Sequence, residues 1–250
     1  MALRLGTVTP GYSYAPQPKC VCGTTVDIMC DHLFGCPHGN EWQTTHDAVA
    51  YEVKKLLDAA GCATTREPYH FYVDSKSRPD LVIRSGWVEG SATVHTADIA
   101  VAHPPLDSFF PRSADTQCAA ADKGAHKKTY KYAHHNQAHG VARETIPFVF
   151  ESFGAAATTT TAHIWMLSDR IYNSRPASRT LTRAAVHTFW VRRIVCTLVK
   201  AVADMISRRL VRAFTKGDRL PPNFVVRVGG FAPNPRGFAA IDAAYREFSA

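Results

Sequence analysis

Two short β-type apolar runs, each introduced by an aspartate, constrain this chain more than any other feature. The first reads Arg78-Pro79-Asp80-Leu81-Val82-Ile83 and the second Thr96-Ala97-Asp98-Ile99-Ala100-Val101. Gly86 and Gly90 lie between them and Pro104-Pro105 follows the second, so the pattern predicts two strands joined through a hairpin region. Each aspartate stands at the mouth of its run. Carboxylates projected from adjacent strands can hold a hard divalent cation through oxygen ligands. Such a cation can activate water and stabilise the charge that builds on a phosphodiester during cleavage. The bland reading is that both aspartates end strands or cap turns.

The elements around these runs set the fold class. A helix should start with Thr44 or Thr45 as N-cap and bury Val49, Val53, Leu56, Leu57 and Ala60, with Gly61 as its C′ stop. Residues 63–74 read as a strand with Tyr69, Phe71 and Val73 on one face, and residues 106–120 as a loop. Residues 121–139 read as a lysine- and histidine-rich helix, 147–151 as a strand, and 155–162 as a threonine-rich connector. From about residue 180 to 214, Val186, Trp190, Ile194, Leu198, Val202, Met205 and Leu210 can line one face of a long helix or a broken pair. Its other face carries Arg183, Arg192, Arg193, Lys200, Arg208, Arg209 and Arg212, with Asp204 the only acid. Helix, three strands, helix, strand is the layered α/β plan, a mixed sheet flanked by helices.

A formal charge of +8 over 250 residues favours a polyanionic partner. No apolar run approaches the roughly 20 residues of a membrane-crossing helix, and Met1-Ala2-Leu3-Arg4-Leu5 has no secretory layout. These features predict an intracellular, reducing compartment and no membrane partner. The cysteines agree. Seven is an odd count, and Cys20, Cys22, Cys30 and Cys36 crowd one stretch beside His32 and His38, whereas Cys62, Cys118 and Cys196 are scattered and read as small apolar residues. Clustering of this kind points to metal rather than disulfides. Cys20-x-Cys22, nine residues to His32 and three more to Cys36 supply four ligands for tetrahedral zinc. Cys30 and His38 are the available substitutes. A closed four-ligand site would be structural, folding a segment too short to make its own core.

A metal-dependent nuclease site usually adds a lysine. Two residues beyond Asp98 stands Ala100, so a lysine must arrive from elsewhere, and the next helix offers Lys127-Lys128-Thr129-Tyr130-Lys131-Tyr132. On charge alone that run is a solvated basic face. Five features recur in a familiar order: Cys20-x-Cys22 with Asp31-His32 and Cys36; Thr45-His46-Asp47; Arg78-Pro79-Asp80 with Ala97-Asp98-Ile99-Ala100-Val101; Lys128 with Lys131-Tyr132; and Phe148-Val149-Phe150-Glu151-Ser152-Phe153-Gly154. Over roughly residues 20–170 the chain resembles the restriction-endonuclease-like, PD-(D/E)xK domain with an upstream zinc motif that follows the reverse transcriptase of non-LTR retrotransposons. It departs from that family in having no polymerase palm motifs and in placing Thr45 where the family has arginine.

The resemblance implies a restriction-endonuclease-like mixed sheet with an N-terminal zinc knot and a helical C-terminal extension. The divisions would be a flexible lead over 1–19, a zinc knot over 20–40, a nuclease-like domain over 41–170 and a basic helical extension over 171–250. It implies a nuclear, Mg²⁺- or Mn²⁺-dependent endonuclease that nicks target DNA so that a retroelement can prime reverse transcription, in association with a reverse transcriptase. The alternative is an inactive DNA- or RNA-binding remnant. Asp80 and Asp98 would hold the catalytic metal, with the Ile99 carbonyl as a further ligand. Lys128 would sit by the water or scissile phosphate, with Lys127 and Lys131 as alternatives and Glu151 and His46 as further catalytic candidates. Lys127, Lys131, Arg192, Arg193, Arg208 and Arg209 would contact nucleic-acid phosphates, or simply form a solvated face.

Overall fold

The computed structural model describes residues 19–27, 30–72, 77–106, 108, 110–174 and 181–215. All of the expected lead except Lys19, the Val73 position, and residues 216–250 of the expected extension lie outside the described residues. Among those described, the helices are α1 (Asp31–Gly35), α2 (Glu41–Ala59), α3 (Phe110–Ser113), α4 (Ala119–Lys131), α5 (Ala133–Ala138), α6 (Thr158–Asn173) and α7 (Arg183–Thr215). The strands β1 (Ala63–Arg66), β2 (Leu81–Ser85), β3 (His95–Ala102) and β4 (Ile146–Glu151) form one sheet in the order β1-β2-β3-β4. β1, β2 and β3 pair antiparallel and β4 runs parallel to β3, so the sheet is mixed as expected. The parallel pairing requires a crossover, and α4 and α5 provide it.

Alternation along the strands divides the sheet into two faces. Ala97, Ile99, Ile146, Phe148 and Phe150 join Val49, Val53, Leu56 and Leu57 of α2, Ile164 and Leu167 of α6, and the apolar stripe of α7 in the main core. Every residue expected on that stripe, from Val186 and Trp190 to Leu210, is buried, and α7 is one unbroken helix. The basic helix α7 thus packs on α2 and α6, which cover that face of the sheet. On the opposite face Ala100 and Val149 meet Ala121 and Ala125 of α4 in a second, small-residue cluster. Gly124 makes this approach close, because a Cβ there would stand 3.0 Å from Val149 Cγ1.

Local chemistry moves several boundaries. α2 begins one turn before Thr44, with Asn40 as N-cap. Thr45 is buried inside the helix instead, its hydroxyl donating to Glu41 O at 3.0 Å. The other end follows expectation. Gly61 has φ +81°, with its N–H on Asp58 O and the Cys62 N–H on Leu57 O, both at 3.0 Å, forming a Schellman stop. The strand expected over 63–74 ends at Arg66. Glu67 and His70 adopt positive φ, and Tyr69 and buried Tyr72 belong to a turn. The basic helix over 121–139 breaks at Tyr132 into α4 and α5, and the loop before it contains α3.

The threonine-rich stretch is not a connector beyond Ala157: it is the first turn of α6. Asp122 accepts the Thr158 N–H at 2.7 Å, and buried Thr160 accepts the Val149 N–H at 2.8 Å. These bonds give the threonines partners that composition alone does not suggest.

Candidate functional site

Asp80 immediately precedes β2, and Asp98 is the fourth residue of β3 rather than its mouth. β2 and β3 pair Leu81 with Ala97, which brings the two carboxyls within hydrogen-bonding reach of each other. Asp98 is 1 % exposed and faces the α4 side. Asp80 Oδ2 accepts the Ile99 backbone N–H at 2.6 Å and the His46 Nε2 donor at 3.1 Å. Lys128 Nζ stands 2.9 Å and Lys131 Nζ 3.3 Å from Asp98 Oδ2. Residues far apart in sequence (His46 on α2, Asp80 before β2, Asp98 on β3, Lys128 and Lys131 on α4) therefore converge.

The electrostatics are those of two acids forced together. Burial, then the facing Asp80, pushes the Asp98 carboxyl up to about 6, against the opposing pull of Lys128. Burial would raise Asp80 too, but the His46 hydrogen bond, the Asp98 hydrogen bond and the Ile99 N–H outweigh it and hold that carboxyl below the usual carboxylate range. Burial alone would lower His46, but Asp80 and Asp47 raise its imidazole to about 8. At neutral pH it is a cation bridging Asp80 and Asp47, whose Oδ1 lies 3.3 Å from Nδ1.

A polar network positions the loop that delivers Asp80. The Tyr132 hydroxyl donates to Arg78 O at 2.9 Å, and its ring stacks on Tyr72 with centroids 5.8 Å apart. Tyr72 bonds Asn136, whose amide reaches Thr96 Oγ1 at 3.0 Å and Thr145 Oγ1 at 3.3 Å. Thr96 lies two residues before Asp98, so α5 and the Asp80 loop are pinned to the same strand.

Glu151 is elsewhere. It lies on the same face as Asp98 but at the far end of β4, beside Ala102. There it accepts the backbone N–H groups of Ala120 and Ala121. It is a carboxylate at the N-terminus of α4, a placement favoured by the helix dipole, and it does not meet the Asp80–Asp98 pair. Lys127 is exposed on α4 and does not face the carboxylates.

The cysteine and histidine ligands assemble as expected. The ligand atoms of Cys20, Cys22, His32 and Cys36 all lie within 4.8 Å of one another, a Cys₃His group that could hold a metal such as zinc. Cys20 Sγ is 3.4 Å from Cys36 Sγ, and Cys22 Sγ is 3.1 Å from His32 Nε2. A tight turn, with Gly23 N–H on Cys20 O at 2.8 Å, makes the short Cys-x-Cys spacing workable. Hydrogen bonding to Thr24 lowers the Cys22 thiol to about 6, the direction metal binding requires. Cys30 and His38 are not part of the group: Cys30 is buried as the N-cap of α1, and His38 is exposed.

The α7 arginines divide into two sets. Arg192 and Arg208 are exposed, as is Lys200. Arg193 instead binds Glu52, and Arg209, 4 % exposed, binds Leu33 O, Cys36 O and Glu41. The expectation that Arg193 and Arg209 lie on an open phosphate-tracking face is corrected by these inward contacts.

His103 was not singled out by sequence reading. It is 1 % exposed, stacks on Phe34 with ring centroids 3.5 Å apart, and links Ser152 Oγ at 2.8 Å to Asp31 Oδ1 at 2.9 Å. It fastens the Cys/His knot to the ends of β3 and β4. Comparison with protein-family models and with curated proteins returns no match. No helix among the described residues is long and apolar enough to cross a membrane.

Proposed function

We propose that this chain is a metal-dependent DNA endonuclease of the restriction-endonuclease-like, PD-(D/E)xK type. In this reading it nicks target DNA for integration of a retroelement, acting with a reverse transcriptase in the nucleus. The observation that carries the proposal is the convergence of Asp80, Asp98 and Lys128 from separate elements. A buried pair of acids, one displaced upward by the other, matches the donor set of a Mg²⁺ or Mn²⁺ site, because an oxygen-bound dication relieves their repulsion. When bound, the cation would supply Lewis-acid stabilisation of charge on the scissile phosphate.

The chain's own groups supply the rest. Lys128 and Lys131 place positive charge beside Asp98, where a phosphodiester oxygen would lie. His46 keeps its proton on Nε2 toward Asp80 and fixes that carboxylate's orientation. The Ile99 N–H does the same from the backbone. Tyr132 holds the Arg78 carbonyl, and with it the approach to Asp80. The Cys₃His knot, in this reading a structural zinc site, is anchored to the sheet through His103.

A second reading, a DNA- or RNA-binding remnant that does not cut, is favoured by one observation: both lysines already pair with Asp98, leaving the site satisfied without a cation. Supercoiled plasmid incubated with zinc-loaded protein and Mg²⁺ or Mn²⁺, beside Asp98→Asn and Lys128→Ala, separates the two. The proposal expects open-circular product from wild type and a loss of about 10²-fold or more in either variant, the scale of removing one charge-stabilising group. Retarded but uncut plasmid would instead select the remnant.

A further inference from the structure

Two residues beyond Glu67, whose backbone N–H bonds Asp80 O, stands an aromatic ring left largely open by the described residues. Tyr69 is 81 % exposed, the highest value among the exposed large apolar side chains described. It is nevertheless held firmly. Two residues before it, Glu67 adopts φ +36° and donates its N–H to Asp80 O at 2.9 Å; one residue after it, His70 adopts φ +57°. Non-glycine residues keep such φ values only where the surroundings fix them. Arg78 Nη2 binds Glu67 Oε2 at 2.8 Å, and its guanidinium stands 5.4 Å from the Tyr69 ring centroid. Buried Tyr72 follows, its hydroxyl bonded to Asn136 and its ring stacked on Tyr132. The ring is thus preordered, backed by a cation, and tied through Glu67 to the backbone of Asp80 and to Arg78.

We propose that Tyr69 is a stacking platform for an unpaired nucleobase of the DNA strand bound at the carboxylate site. The inference rests on the nucleic-acid side of the proposed function and deepens it by naming the substrate class: DNA with an unpaired stretch next to the scissile phosphate. Within a duplex each base face is covered by its neighbours, so an isolated exposed ring gains contact only with a base that is unstacked. The rim has matching charge, with Arg78 44 % exposed and Lys131 45 % exposed on either side of Tyr132. Arg78 and Lys131 would track the backbone while Tyr69 takes the base.

The test is binding rather than cleavage. Zinc-loaded full-length protein, without added Mg²⁺ or Mn²⁺, is titrated by fluorescence anisotropy into a labelled duplex carrying a short internal unpaired segment. A fully paired duplex of equal length is titrated in parallel. Wild type should prefer the unpaired substrate by about ten-fold, the lower range of one base–aromatic stack. Tyr69→Ala should lose that preference while keeping its affinity for paired duplex, and Tyr69→Trp should retain it. Equal affinity of wild type for both substrates, or an equal loss on both in Tyr69→Ala, overturns the inference. The arms are independent of the nuclease reading: preference without any nicking keeps the platform and removes the enzyme, and nicking without preference does the reverse.

Discussion

Replacing Arg209 by alanine should cost folding stability, while replacing its neighbour Arg208 should cost DNA affinity. Arg209 is 4 % exposed and spends its guanidinium on the carbonyls of Leu33 and Cys36 and on Glu41, whose side chain is 13 % exposed. Removing it strands two buried carbonyls and leaves Glu41 with Arg212 alone. Breaking a buried ion pair from one side costs about 3–5 kcal/mol, and at roughly 2–4 °C per kcal/mol for a chain of this size the Tm should fall by about 10 °C. Because Cys36 is one of the four clustered ligands, zinc release to a chromogenic chelator should also accelerate. Arg208 is exposed, so Arg208→Ala should stay within about 0.5 kcal/mol of wild type. If Arg208 contacts a phosphate, its loss should reduce the slope of log K against log salt by about 0.9. Urea denaturation followed by tryptophan fluorescence, with anisotropy titrations at several salt concentrations, reads both. Arg209→Ala as stable as wild type but with a reduced salt slope would refute the division of this helix into inward and outward arginines.

Gly124→Ala should lower stability. Overpacking against Val149 costs about 1–3 kcal/mol, and the gain in helix propensity returns about 1 kcal/mol; a cycle with Val149→Ala should show a coupling above about 0.5 kcal/mol. The His46 imidazole is raised above its unfolded value of about 6.5, so its stabilisation is complete below that pH and lost as pH rises through about 8. The worth of this pair is about 1–2 kcal/mol at the shift's scale of 1.36 kcal/mol per unit. Unfolding free energies from urea titrations should fall by that amount more between pH 6 and 9 in wild type than in His46→Gln; parallel profiles would remove the ion pair. Metal analysis of purified protein should find a stoichiometric equivalent of zinc, retained by Cys30→Ser and lost by Cys36→Ser. Retention by both would reassign the ligand set.

The parts of the fold legible in the sequence were those whose signal is local. Apolar spacing over Val186–Leu210 and the Gly61 stop each depend on residues a few positions apart, and both were placed correctly. What sequence reading missed depends on distant partners. Thr160 looks like connector composition until β4 offers its N–H. Arg209 looks like a free surface cation until the Cys36 turn folds against it. Tyr69 fits an alternating strand pattern, but Glu67 and His70 leave the extended region and turn it outward. The Cys/His group was readable because four ligands fall close together in the chain. Glu151 was a candidate because of the resemblance of residues 148–154, and only the placement of α4's first turn reveals its carboxylate as a partner for the backbone of that helix.

That helix also explains why position 100 carries alanine. Side chains two apart on a strand share a face, so residue 100 points, like Asp98, toward α4. The space it points into is a seam of small groups: Ala121, Ala125, Val149 and Ala157, with Gly124 pressed against Val149. A lysine there would have to place its stem in a seam where a Cβ at Gly124 would already stand 3.0 Å from Val149 Cγ1, or push α4 off the sheet. The close seam in turn brings α4's last turn over Asp98, and the lysines one helical turn apart at 128 and 131 reach the carboxylate from above. Small residues along the middle of the helix and cations at its end are therefore one solution to one constraint. Alanine at position 100 and the helix lysines are coupled by packing, and a change that loosens the seam should weaken the Lys128–Asp98 pair without touching either residue.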